Sequence, residues 1–396
     1  MLIKNISLLY GVDLTYIQNT NVRISGKNIE QIGVKIAPKK NETVLDCEGI
    51  LMMPGLVNSH THIGDSIAKD IGIDSDVEEK IHPVSGFKQK ILKNSTKSHL
   101  TSFIKNSCIS MMKKGITSFI DFREGGLDGV NLLKHASVDI PIRPIILGRA
   151  EYYQDVQSIK KNIPMPPSHA QHVQNLLMNC DGLGISGPNE FSNSVLVSFA
   201  KTTKIRAIHS AETEESNEIS KKITGKTETQ RALLVKPNFL VHMTYASKKD
   251  LAMAVRNKAS IVVCPRANGS LAEGIPDVDL MLEVGCNVAI GTDNVMINSS
   301  DMFREMDYLW KVSMGMKKKR LEAKDILKMA TTNASNILGG KIGVVQNNKM
   351  ADCIFIEKHS IDLEPMHNTH ASIVQRASEN TIRAVMYEGE IVHGKI

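Results

Sequence analysis

The chain has 396 residues, more than one small core needs. Of these residues 42% are hydrophobic and 23% are charged, a composition that excludes an intrinsically disordered protein. The net charge is +6, but the densest basic cluster, residues 316–320, has no interleaved aromatic residues, so we expect no nucleic-acid partner. The six cysteines form no Cys-x-x-Cys pair, so we expect neither a disulfide framework nor a zinc ribbon. The sequence shows no charged leader and no run of about 18 apolar residues, so we predict a cytoplasmic protein without a membrane span.

The first 53 residues alternate short apolar runs with turn residues. The runs lie at residues 6–10, 21–24, 29–34 and 44–47, and glycines punctuate them. Short runs bounded by glycine are typical of strands and not of helices. We therefore predict a small β unit at this end of the chain.

A short apolar run after the Pro54-Gly55 breaker ends in two histidines. The segment PGLVNSHTH is typical of a buried strand, and His60 and His62 project to the same side of it because they are two positions apart. Two imidazoles that face one way can share one metal ion. The spacing alone is weak evidence, so a metal site here needs ligands from other parts of the chain.

Eight short apolar runs recur between residues 54 and about 340, separated by segments of helix length. This alternation predicts an α/β fold, a (β/α)8 barrel whose chemistry lies at the C-terminal ends of the strands. Residues 63–97, after the first run, are predicted to form an irregular loop over the mouth. The runs are residues 56–60, 116–122, 142–148, 182–186, 205–209, 239–243, 260–264 and 287–292.

Polar residues stand at the ends of three later runs. His209 ends the fifth run and Glu212 follows it, His242 ends the sixth, and Asp293 follows the eighth. Each has an ordinary alternative: a strand-end histidine is often structural, Glu212 suits the first turn of a helix, and Asp293 suits an N-cap. In a barrel the first and fifth strand tips open onto one cavity, so His209 would complete an arrangement of three imidazoles suited to zinc or iron.

Residues after about 345 return to short strand-like runs. These runs, residues 351–356, 383–387 and 390–392, are separated by turn residues that include Gly389. The far end of the chain is therefore predicted to be β structure, like the first 53 residues.

Several of these motifs resemble those of the amidohydrolase superfamily, which consists of metal-dependent hydrolases. PGLVNSHTH resembles the first barrel strand of that superfamily, and His-Ser-Ala-Glu at residues 209–212 resembles its deaminase branch. CPRANGSL, from Cys264, is similar to the seventh-strand signature of the nucleoside, methylthioadenosine and S-adenosylhomocysteine deaminases, although Ala267 stands where serine is usual. The resemblance covers nearly the whole chain and implies a barrel over residues 54–344 with a small β-sandwich built from residues 1–53 and 345–396.

The resemblance also implies one divalent metal ion per chain, zinc or iron. Binuclear relatives such as dihydroorotase and hydantoinase carry a bridging lysine on the fourth strand, and the run at residues 182–186 has none. The implied ligands are His60, His62, His209 and Asp293.

Catalytic roles follow from the same resemblance. Asp293 would take a proton from the attacking water, His242 would stabilise the developing negative charge, and Glu212 would protonate a ring nitrogen and help ammonia depart. The chain is thus expected to deaminate an aminated purine-like heterocycle, a small-molecule substrate, and the family's habit of pairing implies a homo-oligomer.

Further residues at predicted strand ends are candidates for substrate contacts or for ordinary loop salt bridges. Guanidinium groups pair with carboxylates and phosphates and hydrogen-bond to sugar hydroxyls, so three arginines predict a base with a polar appendage, such as a 5′-modified adenosine. Asn189 lies in a Gly-Pro-Asn segment where the deaminases often have Gly-Pro-His. The candidates are Arg123, Arg149, Asn189, Arg266 and Asn268, and Glu124 is expected to point the same way.

Two other functions stay open. Hydrolases of a cyclic amide or a C–Cl bond, such as imidazolonepropionase and the triazine chlorohydrolases, share much of this set of residues. A non-catalytic scaffold descended from such enzymes would be expected to lose its metal ligands first, and here none is missing from the sequence.

Overall fold

The computed structural model describes residues 1–75, 79–80, 86–317 and 320–396, and two β-sheets organise them. The strands are rich in β-branched and other apolar residues, which suit a pleated and buried surface. In chain order they are β1 (Leu2–Tyr10), β2 (Thr15–Ser25), β3 (Asn28–Gly33), β4 (Val44–Asp46), β5 (Ile50–Pro54), β6 (Leu56–His62), β7 (Ile116–Arg123), β8 (Arg143–Gly148), β9 (Gly182–Ile185), β10 (Ile205–Ser210), β11 (Phe239–His242), β12 (Ser260–Val263), β13 (Val288–Ile290), β14 (Asp293–Asn294), β15 (Cys353–Glu357), β16 (Ile382–Tyr387) and β17 (Glu390–Gly394).

Helices occupy most of the connections, and many begin at a residue whose side chain accepts from the first turn, as Thr96, Ser192 and Asp277 do. Short 3₁₀ helices cover Ile63–Ala68, Pro188–Glu190, Leu233–Val235 and Glu379–Thr381. The α-helices are α1 (Phe87–Asn94), α2 (Lys97–Lys113), α3 (Gly126–Ser137), α4 (Val156–Lys160), α5 (Pro167–Asn179), α6 (Asn193–Phe199), α7 (Glu214–Thr224), α8 (Glu228–Ala232), α9 (Lys248–Arg256), α10 (Pro265–Ser270), α11 (Val278–Val284), α12 (Met302–Lys317), α13 (Ala323–Met329), α14 (Thr332–Ile337) and α15 (Thr369–Arg376).

The first sheet is mixed and contains both ends of the chain, as the sequence predicted. Its strand order is β17-β16-β15-β5-β1-β2-β3, with β4 paired to β1. The join is the antiparallel pair of β15 with β5, in which Cys353 lies opposite Pro54. Strand β5 was not anticipated, because its five buried residues run directly into the Pro54-Gly55 breaker. This pairing anchors the segment that leads into β6.

The second sheet is parallel and curled, with the strand order β13-β12-β11-β10-β9-β8-β7-β6-β14. Its two terminal strands are successive in the chain, since only Gly291 and Thr292 separate β13 from β14. The Gly291 amide donates to the Val263 carbonyl at 2.9 Å, and the Thr292 amide donates to the His60 carbonyl at 3.1 Å. The chain therefore passes from the last strand back to the first. Each of the eight predicted runs overlaps a strand of this sheet, and the eighth run, residues 287–292, contains β13 and ends directly before β14.

Both faces of the parallel sheet are buried. Alternate residues along one strand belong to different apolar clusters: Phe239 and Val241 pack inside the curl with Phe122, whereas Leu240 packs against the surrounding helices. Such strands read as continuous apolar runs because neither side meets water. The polar residues that follow the runs are consequently placed at the carboxyl edge of the sheet.

The segment at residues 63–97 was predicted to be an irregular loop, and this prediction was wrong for much of its described part. A 3₁₀ helix, Ile63–Ala68, and α1 lie within it. Residues 76–78 and 81–85 of this segment, and residues 318–319 of the basic cluster, lie outside the described residues. In the described part of the chain, none of the helices has the length and apolar character that crossing a membrane requires.

Gly291 provides a test of how the sheet holds the first strand. A Cβ at this position would lie 2.6 Å from the Cβ of His60 and 2.7 Å from its backbone nitrogen. We expect Gly291→Ala to reduce the free energy of unfolding by about 1–3 kcal/mol, because the backbone must shift to remove the overlap. Gly315→Ala is the matched control, since a Cβ there meets nothing within 4 Å. Urea denaturation of both variants measures the difference, and equal stabilities would contradict the close packing at His60.

Candidate metal centre and its cavity

Four of the predicted ligands converge at the carboxyl edge of the parallel sheet. His60 and His62 end β6, His209 lies near the end of β10, and Asp293 begins β14. Nε2 of His209 lies 3.4 Å from Nε2 of His62 and 3.3 Å from Nε2 of His60. Oδ1 of Asp293 lies 3.2 Å from Nε2 of His60 and 3.6 Å from Nε2 of His62. All four side chains are buried.

These separations fit a metal ion of the size of zinc. Neighbouring ligand atoms at about 2.0–2.2 Å from a zinc ion lie roughly 3.3–3.6 Å apart. The four distances just given are close to this range. Three neutral imidazoles and one carboxylate are also a donor set that zinc accepts. The residues present therefore fit one divalent metal ion.

The second nitrogen of two ligand imidazoles is held by an acceptor, which leaves Nε2 directed at the centre. Nδ1 of His62 lies 2.8 Å from Oε1 of Glu124, and Nδ1 of His209 lies 3.0 Å from the carbonyl oxygen of Ile185. A proton on Nδ1 satisfies each acceptor and gives Nε2 a free lone pair. The chain thus fixes both the tautomer and the orientation of these rings.

Burial keeps the ligand imidazoles neutral. It lowers the pKa of His62 to about 3, with a further contribution from the nearby Lys88 ammonium. Burial likewise holds the pKa of His209 well below its ordinary value. Burial opposes ionisation of Asp293, but the hydrogen bond with His60 and the neighbouring imidazoles lower the pKa of its carboxyl. Neutral imidazoles and an ionised carboxylate are the forms that bind metal.

Glu124 is the centre of a buried charge cluster behind the ligands. Its carboxylate lies 2.5 Å from Nζ of Lys88 and 3.8 Å from Nη2 of Arg149. Burial opposes its ionisation, but Lys88, His62 and Arg149 together hold the pKa of Glu124 well below its ordinary value. The sequence indicated that Glu124 follows a strand end, but it gave no sign of this role or of Lys88, which α1 brings in from residues 63–97.

Glu212 and His242 lie beside the ligand cluster. Nε2 of His242 is 3.2 Å from Oε1 of Glu212, and these two residues and Asp293 offer atoms within 4.8 Å of one another. Nδ1 of His242 lies 3.1 Å from Oδ1 of Asn268, whose amide nitrogen donates to Thr244 at 2.9 Å. Burial raises the pKa of Glu212, and the His242 imidazole opposes this shift. The arrangement holds a carboxyl group that can carry a proton next to an oriented imidazole.

The backbone is strained at His242, the last residue of β11, and at Asp293, the first residue of β14. His242 has φ of 71° and Asp293 has φ of 59°, in the left-handed region that side chains other than glycine rarely adopt. Such conformations cost about 1–3 kcal/mol each and persist where the surrounding structure enforces them. Here they turn the two side chains toward the metal cluster.

A cavity of about 350 Å³ opens above the cluster. Arg149 and Asn189 contribute to its lining, whereas the other three candidates for substrate contacts do not. Arg123 donates to the carbonyl oxygen of Gly129 at 3.1 Å, and Arg266 pairs with the buried Glu305 at 3.3 Å. These two arginines are occupied by protein groups, so the structure places them beside the cavity and not in it. Asn268 holds His242 instead.

Two carboxyl groups in the cavity wall were missed in the sequence. Glu228 begins α8, and Glu273 follows α10 in a loop; both side chains are buried. Neither lies at the end of a predicted strand or within a recognised motif, so no local pattern marked them. Lys88, from α1, also lines the cavity.

Comparisons with known proteins give a consistent result. The model of the amidohydrolase family matches residues 51–392. A Methanothermobacter thermautotrophicus protein with the provisional name of aminohydrolase is 37% identical over 99% of both chains. The 5-methylthioadenosine/S-adenosylhomocysteine deaminase of Pyrococcus furiosus is 28% identical over 99% of this chain and 94% of its own. The crystal structure of atrazine chlorohydrolase from Arthrobacter aurescens TC1 complexed with zinc has a similar fold, with a TM-score of 0.84 and 16% identity over 99% of this chain and 95% of that chain.

The ligand geometry predicts the metal content. Because four ligand atoms converge on one point, we expect about one zinc or iron per chain. Elemental analysis of the purified protein measures this ratio. Two tightly bound metal ions per active chain would show that the mononuclear assignment is wrong.

Glu124 is expected to control how tightly the metal is held. Glu124→Gln removes the charge that orients His62, so the affinity for zinc should fall about 10- to 100-fold. Competition with a chromophoric chelator measures the change. Glu218→Gln, at an exposed position on α7 paired only with Lys221 among the described residues, is the control. Unchanged zinc affinity in Glu124→Gln would mean that Glu124 does not support the ligand.

Proposed function

The chain belongs to the amidohydrolase family, and from that premise we propose that it is a mononuclear metal-dependent aminohydrolase that removes ammonia from an aminated purine-like heterocycle, such as a 5′-modified adenosine. The proposal includes a (β/α)8 barrel over residues 54–344 and a β-sandwich formed by residues 1–53 and 345–396. The parallel order of the curled sheet and the shared mixed sheet support this division. Association of copies of the chain and location in the cytoplasm remain part of the proposal.

One observation carries the proposal: Glu212 and His242 offer atoms within 4.8 Å of Asp293 and of each other, beside the candidate metal ligands. A scaffold without chemistry would have no need for three such groups in one buried place. Bound zinc would act there as a Lewis acid that lowers the pKa of water. Asp293 and Glu212 would then carry out the proton transfers, one as the base and the other as the acid.

Asp293 has the properties of the base. The pKa of its carboxyl is held low, so the group is a carboxylate and can accept a proton from water. His242, which is oriented by Asn268, would stabilise the negative charge that develops on the attacking oxygen.

Glu212 has the properties of the acid. Burial raises the pKa of its carboxyl, so the protonated form is present nearer to neutral pH than for an exposed glutamate. A proton donated from Glu212 to a ring nitrogen makes the neighbouring carbon electrophilic, and a second transfer releases the amino group as ammonia. The side chain is about 22% exposed and faces the cavity, as this role requires.

The experiment that tests the function is a screen of the zinc-loaded protein for ammonia release. Aminated purines and their nucleosides, pterins, cytosines and triazines are the compounds to compare. Chloride release from a chlorotriazine, or ring opening of an imidazolone, in the absence of ammonia release would select the alternative hydrolase functions. A protein inactive on all these classes would contradict the aminohydrolase proposal.

Glu212→Gln separates chemistry from metal binding. The variant should retain its metal, because Glu212 is not among the four converging ligands, and its turnover should fall on the order of 10² to 10⁴. Metal content and ammonia release are measured on the same preparation. Loss of the metal, or full activity, would remove Glu212 from the assigned role.

A further inference from the structure

Glu212, the proposed acid, lies in a connection without regular structure. Residues 211–213 form this connection, which joins the end of β10 to the start of α7. Ala211, the residue before Glu212, has φ of 49°, in the left-handed region that an alanine rarely adopts. Such a conformation persists only where the surrounding structure enforces it. Contacts from another part of the chain must therefore hold the turn that carries Glu212.

The carboxyl group of Glu228 holds this turn on both sides of Glu212. Its Oε2 accepts from the Ala211 amide at 2.7 Å and from the Ser216 hydroxyl at 2.8 Å. Ala211 directly precedes Glu212, whereas Ser216 lies in the first turn of α7. One oxygen atom of Glu228 thus joins the residue after β10 to the start of the next helix, and the segment between these two contacts includes Glu212.

Glu228 is itself fixed by neighbouring groups. Its Oε1 accepts from Nδ2 of Asn189 at 3.1 Å, and its backbone amide donates to Oδ1 of Asn217 at 3.0 Å. Asn189 is held in turn by Arg231, whose Nη1 donates to Oδ1 of Asn189 at 3.3 Å. Glu228 and Arg231 both belong to α8, and both side chains are buried. The carboxyl group of Glu228 is therefore a preorganised acceptor at a defined place.

Asn189 belongs to the same support. Its Nδ2 donates to the Ser216 carbonyl oxygen at 2.8 Å as well as to Glu228. These two bonds use both hydrogens of the amide nitrogen. Asn189 was a candidate for substrate contacts, but the structure commits its donors to the residues around Glu212.

The three donors suit the ionised form of Glu228. Burial raises the pKa of its carboxyl to about 7, and the nearby charges of Glu212 and Glu190 add to the shift. The hydrogen bonds from Ser216 and Ala211 oppose it. Above this pKa the group is a carboxylate, which accepts all three hydrogen bonds without having to place a proton of its own.

We propose that Glu228 is a positioning residue of the aminohydrolase site, which fixes the turn at Ala211 and thereby holds the carboxyl group of Glu212 beside His242 and toward the substrate. This inference rests on the proposed function and adds to it a residue that acts through Glu212. A displacement of about 1 Å at a reacting group lowers a rate on the order of 10²-fold, so a proton donor in an irregular connection needs such a support.

The first experiment measures the support of the turn without requiring turnover. Amide hydrogen exchange of residues 210–216 is followed by mass spectrometry in the zinc-loaded protein. Glu228→Gln offers one acceptor oxygen to three donors, so exchange in this segment should become about tenfold faster or more. Ser216→Ala removes one of the two links and is the second variant, should Glu228→Gln fail to fold. Glu218→Gln, at an exposed position on α7, should leave the exchange unchanged.

The second experiment is a double-mutant cycle on ammonia release, measured above pH 7 with the compound of the screen that is deaminated fastest. Glu228→Gln should lower kcat about 10- to 100-fold and change KM much less. In the Glu212→Gln background the same substitution should lower kcat by less than about twofold, because the group that it positions is already lost. A residue that supports only the fold would lower kcat by the same factor in both backgrounds.

The outcomes distinguish this inference from the proposed function. Unchanged exchange in both variants, equal losses of kcat with and without Glu212, or a loss carried by KM would overturn the positioning role and leave the aminohydrolase standing. Faster exchange in Glu228→Gln, with no ammonia release from any aminated heterocycle by the unaltered protein, would overturn the aminohydrolase and with it the part of Glu228 in that reaction. The hydrogen-bonded turn alone would then stand.

Discussion

The hydrogen bond from the Thr292 amide to the His60 carbonyl joins the last part of the parallel sheet to its first strand. Because the bond lies one residue before Asp293, it sets the distance between that carboxylate and the imidazole of His60. Gly291 permits the approach, since any larger residue would overlap His60. The metal centre is therefore a consequence of how the sheet curls and not of any single strand.

A second requirement is that the buried charges compensate one another. Glu124 is stabilised by the cations of Lys88, Arg149 and Arg123 and by the His62 imidazole. Asp293 is stabilised by the imidazoles around it. Removing one partner from such a cluster leaves a buried charge unpaired, which is more unfavourable than losing the attraction alone. The candidate ligands are held in place by this network of buried groups.

Much of the fold could be predicted because its signals are local. Buried parallel strands read as apolar runs, and the polar residues after them must gather at one edge of the sheet, which is how His60, His209, His242 and Asp293 were found. The contacts of arginines could not be predicted in the same way. Arg123 and Arg149 both stand at strand ends, but only the packing of the following loop decides which one reaches the cavity. Glu228 and Glu273 come from a helix start and a loop, where sequence spacing carries no information about distance to the site.

The pairing of β5 with β15 also has a consequence for how the protein is made. Strand β5 continues through Gly55 into β6, which carries two of the candidate ligands. One edge of β5 pairs with β15, residues 353–357. During synthesis that edge lacks β15 until nearly nine-tenths of the chain has been translated, because β15 lies so far along it. Asp293 is also made long after His60, so the nascent chain holds isolated histidines before it holds a metal site. A metal site that uses all four candidate ligands can therefore be complete only after Asp293 has been made.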